Sequence, residues 1–303
     1  MDIKIYPSKV NGEITIPPSK SMAHRAIICA SLAHGTSKIS NIVYSQDIKT
    51  TIEGMKKLGA HIIKNENTLT ITGIKDFKGV DTPVNCNESG STLRFFIPLF
   101  SLTGKKTVFC GKNRLLERPQ TVYRKIFAEQ GIKYIQDEKK IEIEGKLKSG
   151  HYKVDGNISS QFITGLLFIL PLLDKDSIII INPPFESKSY VDLTIEILSY
   201  FGIHVKFKDD LTIFIPGNQQ YQPHDYHVEG DFSQLGFFAV LGSINNKISC
   251  RGVCKTSLQG DKKIIDIIKS AGGIIEELSN GYTFYPSTLK GIKINLEDCP
   301  DLG

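Results

Sequence analysis

What this 303-residue sequence lacks narrows the field first. It has no apolar run long enough to cross a bilayer. The longest, residues 162–173, has 12 residues and is broken by Thr164, Gly165 and Pro171, whereas a span takes about 20. The opening Met1-Asp2-Ile3-Lys4-Ile5 alternates like a strand and holds no signal-peptide core, so neither export nor a membrane is expected. Charge of one sign is also scarce: 37 Lys and Arg against 32 Asp and Glu leave a net +5. That argues against nucleic acid but allows a locally basic pocket for a small anion. The cysteines Cys29, Cys86, Cys110, Cys250, Cys254 and Cys299 are scattered. They do not form a secreted disulfide framework, and a reducing cytoplasm is the expected compartment.

Several common chemistries are missing too. There is no G-x-G-x-x-G and no G-x-S-x-G. Gly104-Lys105-Lys106-Thr107 resembles the tail of a phosphate loop, but Leu99 stands where its first glycine belongs. His224 and His227 together with Cys250 and Cys254 lack the spacing of a zinc finger or ribbon and are read as structural, so no metal is expected.

What is present is a repeat. An amphipathic helix ending in glycine and followed by an apolar strand occurs around Gly59, Gly131, Gly202 and Gly272, at intervals of 72, 71 and 70 residues. Glycine suits a helix end that must turn left-handed. Two strands around a polar turn follow each marker, as in His61–Lys64 with Leu69–Thr72 and Val205–Phe207 with Leu211–Ile215. A second marker is a serine-containing turn that opens an apolar helix, at Ser19, Ser89, Ser159 and Ser233. The third such helix, 160–173, is apolar almost all round and is expected to be buried. The unit reads strand, helix, strand, helix, strand, strand, an α/β class. Four units fit. A fifth begins with a strand at Gly291–Asn295 and the turn at residues 297–301, so the chain is expected to be incomplete at its C-terminal end.

The helix starts carry the candidate chemistry. Unpaired N–H groups give a helix N-terminus about half a positive charge, and several aimed at one cleft bind anions. Here the starts add Lys20 and Arg25 in the first unit, Arg94 in the second, and the uncharged donors Ser159, Ser160 and Gln161 in the third. Arg118 opens the second helix of unit two, just before Pro119. Cations and hydroxyls at equivalent places in successive repeats suit a small polyanion.

Six ordered segments then resemble the 3-phosphoshikimate 1-carboxyvinyltransferase (5-enolpyruvylshikimate-3-phosphate synthase) family. They are Pro17-Pro18-Ser19-Lys20-Ser21-Met22-Ala23-His24-Arg25-Ala26, Asn87-Glu88-Ser89-Gly90-Ser91-Thr92-Leu93-Arg94, Glu117-Arg118-Pro119, Ser159-Ser160-Gln161-Phe162, Ser187-Lys188-Ser189-Tyr190-Val191-Asp192 and Asp298-Cys299-Pro300-Asp301. The resemblance implies an inside-out α/β barrel of βαβαββ units in two domains. Residues 15–227 would form one complete domain, and residues 1–14 with 228–303 an incomplete second one. It implies an enolpyruvyl transfer from phosphoenolpyruvate to the 5-hydroxyl of shikimate 3-phosphate, in aromatic amino-acid biosynthesis, by a cytoplasmic monomer without metal or organic cofactor.

Residue by residue, the resemblance makes Lys20, Ser21, Arg25, Ser159, Ser160, Gln161, Ser187, Tyr190 and Asp301 ligands of shikimate 3-phosphate. It makes Lys20, Gly90, Arg94, Arg118 and Gln161 ligands of phosphoenolpyruvate. Asp301 resembles the base that takes the 5-hydroxyl proton, with Lys20 also catalytic. The family's later Lys, Glu and Arg motifs have no counterpart here, so this chain is expected not to turn over by itself. The alternatives are a phosphoshikimate-binding remnant without activity and a UDP-N-acetylglucosamine enolpyruvyl transferase. The Ser-Lys-Ser…His-Arg opening and Ser159-Ser160-Gln161 argue against the latter.

Overall fold

A computed structural model describes Ile3, Lys4, Tyr6, Ser8 and residues 10–303. Part of the strand expected at Met1–Ile5 therefore lies outside the described residues. The chain divides into two compact units, Lys20–Val228 and Met1–Ser19 with Glu229–Gly303.

β1 (Gly12–Thr15) belongs to the smaller unit. The larger unit then runs through three repeats. The first is α1 (Lys20–Leu32), β2 (Thr36–Ser40), α2 (Gln46–Leu58), β3 (His61–Asn65) and β4 (Thr68–Thr72). The second is β5 (Val84–Asn85), α3 (Gly90–Ser101), β6 (Thr107–Cys110), α4 (Thr121–Glu129), β7 (Lys133–Gln136) and β8 (Ile141–Glu144). The third is β9 (His151–Asp155), α5 (Ser160–Ile169), β10 (Ser177–Asn182), α6 (Lys188–Tyr200), β11 (Lys206–Asp209) and β12 (Thr212–Ile215), followed by the short β13 (Tyr226–His227). The smaller unit holds α7 (Phe232–Ile244), β14 (Ile248–Arg251), α8 (Ile264–Ser270), β15 (Ile274–Leu278) and β16 (Gly281–Tyr285).

The four marker glycines Gly59, Gly131, Gly202 and Gly272 all have positive φ, between 69° and 122°. An L side chain resists that conformation, so each ends its helix and turns the chain into the next strand. Every sheet has four strands in one order: first, second, fourth, third. The first two are parallel, joined directly by one helix in the β5–β6 and β9–β10 sheets, and the rest are antiparallel.

Two repeats exchange their first strands. β1 precedes α1 in sequence but pairs in parallel with β14, while β13 precedes α7 but pairs in parallel with β2. Each unit's sheet is thereby completed from a distant part of the chain.

Within the larger unit, α1, α3 and α5 are buried nearly all round, and β2 and β9 alternate exposed and buried residues. Helices thus lie inside and sheets outside, as expected. The smaller unit holds one four-stranded sheet of the same order, that of one full repeat. Three points of the sequence reading are corrected. The described strands form four separate sheets and no closed barrel, because each sheet ends in two unpaired edges. Gly291–Asn295 forms no strand, since periodicity supplies no partner edge and neither β1 nor β15 takes it. The helix expected over 160–173 stops at Ile169 and continues as a 3-10 turn, Leu170–Leu172. Pro171 has no N–H to give and disfavours helical geometry in the residue before it.

Candidate functional site

The larger unit gathers its helix starts through named contacts. Ser89 and Ser159 cap α3 and α5, their hydroxyls accepting from Thr92 N at 3.2 Å and Gln161 N at 3.3 Å. In the smaller unit it is Asp231, rather than Ser233, that caps α7, accepting from Ser233 N at 2.9 Å. An aspartate two residues earlier, at the cap position, reaches the first N–H groups better than a serine already inside the helix.

A guanidinium–amide cluster joins α3 to α5. Arg94 Nη1 donates to Gln161 Oε1 at 2.8 Å and to Ser159 Oγ at 3.2 Å. Gln161 Nε2 in turn donates to Ser91 Oγ at 3.0 Å. The Arg94 guanidinium lies 4.7 Å from the Phe162 ring centroid, a cation–π distance. Gly165 allows the helices to come this close: a Cβ there would sit 2.7 Å from Arg94 O and 2.2 Å from the Tyr123 hydroxyl. That hydroxyl donates to Arg94 O at 2.6 Å. Arg94 is partly buried and its Nε has no partner. Desolvation pushes its pKa down, opposed by Tyr123 and helped by Arg118. Such a cation gains from an arriving anion.

Arg118 lies over the start of α3. A Cβ on Gly90 would be 2.8 Å from Arg118 Nη1 and 3.8 Å from Gln161 Oε1. Arg118 does not open α4: that helix starts at Thr121 after Gln120. The carbonyls of Leu116 and Arg118 are instead taken by Gln136 Nε2 at 2.7 and 3.5 Å, which holds the segment as a loop. Lys112 N donates to Asn87 O at 2.7 Å, and Asn113 Nδ2 to Glu88 Oε1 at 2.7 Å. These bonds fix the Arg118 loop against the turn before α3. Arg114, Glu117, Arg118 and Pro119 line a cavity of about 340 Å³.

A second cluster forms where α1 meets α5 and α6. Arg25 is 3% exposed. Its Nε donates to Thr194 Oγ1 at 2.8 Å, Nη1 to Ser21 O at 2.8 Å, and Nη2 to Tyr190 O at 3.2 Å and Thr164 Oγ1 at 3.5 Å. Burial lowers its pKa to about 10. No carboxylate pairs with it among the described residues, so its charge is held by neutral oxygens alone, a costly arrangement without a counter-anion. Lys20, the first residue of α1, reaches Asp47 Oδ2 at 3.1 Å from an exposed position. Ser187 precedes α6 in a left-handed conformation, φ 56°, and Tyr190 N donates back to Ser187 O at 3.1 Å. Ser160 is buried at the start of α5. α5 links both clusters, since Gln161 meets Arg94 and Thr164 meets Arg25.

Ten sequence-predicted residues, Lys20, Ser21, Arg25, Gly90, Arg94, Arg118, Ser159, Gln161, Ser187 and Tyr190, thus belong to two adjoining clusters of one unit. Asp301 belongs to the other unit, exposed in a 3-10 turn, Pro300–Leu302. His227 Nδ1 meets Ser40 Oγ at 3.0 Å, His224 stacks on Tyr200, and Cys250 is buried in β14. No group of three or more His, Cys, Asp or Glu suited to a metal occurs among the described residues.

Sequence reasoning missed Thr51, Thr92, Thr164 and Thr194, all buried. The available signal was their spacing: Thr92 lies three residues after Ser89, and Thr164 and Thr194 lie four after Ser160 and Tyr190. Hydroxyls at those intervals share the helix face of the singled-out residues.

A family model described as EPSP synthase (3-phosphoshikimate 1-carboxyvinyltransferase) matches residues 5–303. A 3-phosphoshikimate 1-carboxyvinyltransferase of Clostridium kluyveri is 47% identical over 302 residues, covering 99% of this chain and 71% of that protein. One from Clostridium beijerinckii is 46% identical over 311 residues, covering 99% of this chain and 72% of the relative. The structure of an EPSP synthase from Acinetobacter baumannii superposes with a TM-score of 0.82 at 22% identity, over 97% of this chain and 70% of that one.

Proposed function

The chain belongs to the EPSP synthase family, and from that premise we propose that it transfers the enolpyruvyl group of phosphoenolpyruvate to the 5-hydroxyl of shikimate 3-phosphate. The products are 5-enolpyruvylshikimate 3-phosphate and inorganic phosphate, a step of the shikimate pathway. The observation that carries this reading is the placing of Arg118 over Gly90, beside the Arg94–Gln161–Ser91–Ser159 cluster at two helix starts.

The residues divide by cluster. Gly90, Arg94, Arg118 and Gln161 hold the phosphate and carboxylate of phosphoenolpyruvate, where charge-assisted bonds are strongest. Gly90 leaves room for the ligand to approach backbone N–H groups. Arg25, Ser21, Ser159, Ser160, Gln161, Ser187 and Tyr190 hold shikimate 3-phosphate, whose phosphate supplies the counter-charge that Arg25 lacks. Lys20 serves both substrates.

In the reaction the 5-hydroxyl oxygen bonds to C2 of the enol, its proton passes to Asp301, and C3 gains a proton. The tetrahedral adduct then loses phosphate from C2 and a proton from C3, restoring the double bond. Cations fixed beforehand around the phosphate stabilise the charge that grows as it leaves. No organic cofactor or metal enters these steps. We read the protein as a cytoplasmic monomer whose only partners are these two small molecules.

The test is incubation with both substrates, followed by 31P NMR and a phosphate-release assay. Equal amounts of 5-enolpyruvylshikimate 3-phosphate and phosphate are expected. Binding of shikimate 3-phosphate without phosphate release would overturn the catalytic reading. Turnover with UDP-N-acetylglucosamine instead would move the chain to the other enolpyruvyl transfer.

A further inference from the structure

Behind the two clusters runs a chain of buried side-chain hydrogen bonds that no step above uses. His24 Nδ1 lies 2.8 Å from Thr51 Oγ1, Thr51 Oγ1 lies 2.8 Å from Thr92 Oγ1, and Thr92 Oγ1 donates to Ser89 Oγ at 2.8 Å. His24, Thr51, Thr92 and Ser89 are each buried. They come from α1, α2, α3 and the cap of α3, so the chain ties the helix bearing Lys20, Ser21 and Arg25 to the helix bearing Gly90 and Arg94.

The proton count gives the chain a direction. A threonine hydroxyl has one proton. Thr92 spends its proton on Ser89 Oγ, so Thr51 must donate to Thr92. Thr51 has then spent its own, so His24 Nδ1 must carry the proton that Thr51 accepts. Nε2 is left as a bare lone pair, and it has no hydrogen-bond partner. A charged ring would add a second buried N–H there with nothing to receive it, at a high desolvation cost. Burial lowers the His24 pKa to about 3, against the pull of Asp47 and with help from Lys20 and Arg25, while Phe95 presents a ring edge. Only the Ser89 proton is not spent inside the chain, and it sits at the start of α3.

We infer that His24 is a positioning residue: as a neutral Nδ1–H tautomer it acts through Thr51 and Thr92 to hold the Ser89 cap, and so sets the N–H groups at the start of α3 against the cations of α1. This deepens the proposed function and rests on it for the identity of the ligand. The hydrogen-bond chain can be tested without that identity.

Three measurements decide it. First, 15N NMR of the wild-type ring should show Nδ1 protonated and Nε2 bare, unchanged from pH 5 to pH 8. A ring protonated at Nε2, or titrating in that range, overturns the inference. Second, Thr51→Val removes the middle hydroxyl at nearly constant shape and touches none of the proposed ligands. It should speed hydrogen exchange of the Thr92 amide at least about tenfold, as should His24→Gln, whereas His24→Asn, whose amide can donate near the Nδ1 position, should restore it to within about twofold. Unchanged exchange in Thr51→Val overturns the inference. If that variant does not fold, the tautomer and the His24 pair still decide.

Third, with the two substrates, Thr51→Val and His24→Gln should raise the phosphoenolpyruvate KM several-fold and leave kcat within about twofold. A general loss of packing would instead lower both stability and kcat. If the wild type shows no turnover, the proposed function fails, while the tautomer and exchange results stand or fall on their own.

Discussion

α5 and α7 are nearly equal in apolar composition, yet they live in different surroundings. Nine of the ten residues of α5 are buried, between α3 and α6. In α7 six of thirteen are buried, those facing α8 and its own sheet. Phe237, Val240, Leu241 and Ile244 lie at intervals of three and four on the same helix and are exposed, Phe237 by 72%. A repeat of this kind has an inner helix that its own sheet can cover on one side only. Three repeats side by side cover one another's inner helices; a single repeat leaves an apolar stripe. Composition therefore states how much burial a helix calls for, and the number of neighbours decides how much it receives.

The strongest way to break that comparison is to cut equivalent rings. Phe168 of α5 is fully buried, so Phe168→Ala should cost about 3–5 kcal/mol. Phe237→Ala should change stability by no more than about 0.5 kcal/mol. Urea unfolding of both variants checks this, and equal losses would mean that α7 is covered as well as α5.

Acid sharpens the contrast because each unit buries a titrating group and the two behave oppositely. In the larger unit His24 falls from 6.5 unfolded to about 3 folded. Its unfolded state binds more protons in between, so its contribution is full above pH 6.5 and is lost as pH falls toward 3. In the smaller unit Asp261, 3% exposed, is pushed up to about 6 by desolvation, against the hydrogen bond from Ser233 and with help from Asp301 and Asp231. Its contribution is full below pH 3.8 and is lost as pH rises through 6. Each slope is bounded by about 1.4 kcal/mol per pH unit. Hydrogen exchange followed unit by unit from pH 4 to 7 should show the larger unit loosening toward acid. His24→Asn should flatten that limb, and Asp261→Asn should make the smaller unit more stable than the parent at pH 7.

Glycines give the smallest effects. Gly90→Ala places a methyl 2.8 Å from Arg118 Nη1. The arginine can swing aside, so folding should survive while phosphoenolpyruvate affinity falls about tenfold, roughly 1.4 kcal/mol. In α7, a Cβ on Gly236 meets only Leu302 Cδ2 at 3.4 Å. Gly236→Ala should stabilise the helix by about 0.5–1 kcal/mol. Calorimetric titration for the first and thermal melts for the second distinguish a glycine kept for a ligand from one that is merely tolerated.

The repeat was legible because its punctuation is local. A glycine at positive φ and a capping serine each act within one turn of chain, so Gly59, Gly131, Gly202 and Gly272 could be placed from sequence alone. The cations at the helix starts were legible for the same reason. The threonine chain was not: Thr51 and Thr92 are 41 residues apart, and a threonine within an apolar helix reads as core until its partner is known. The loose Gly291–Asn295 segment shows the converse. Alternation predicts a strand, but a strand also needs an edge willing to take it, and no local pattern reports one. The start signal of α4 likewise misled at Arg118, because Gln136, 18 residues on and beyond α4 itself, claims the carbonyl that would have opened the helix.

The exchanged strands carry a consequence for the order in which this protein can be made. β2 is synthesised early, yet the His227 side chain that meets Ser40 across its parallel edge arrives 187 residues later. Beside β1, Asn11 waits 236 residues for Lys247. During translation both strands therefore emerge with an open edge, and helices and hairpins of the intervening repeats can fold locally long before either sheet is finished. Such long-range closure is slow, and an open edge is a template for the wrong neighbour. The nascent chain should be most prone to aggregate after its first repeat, less so once β13 has left the ribosome, and safest once β14 has followed and closed the edge of β1.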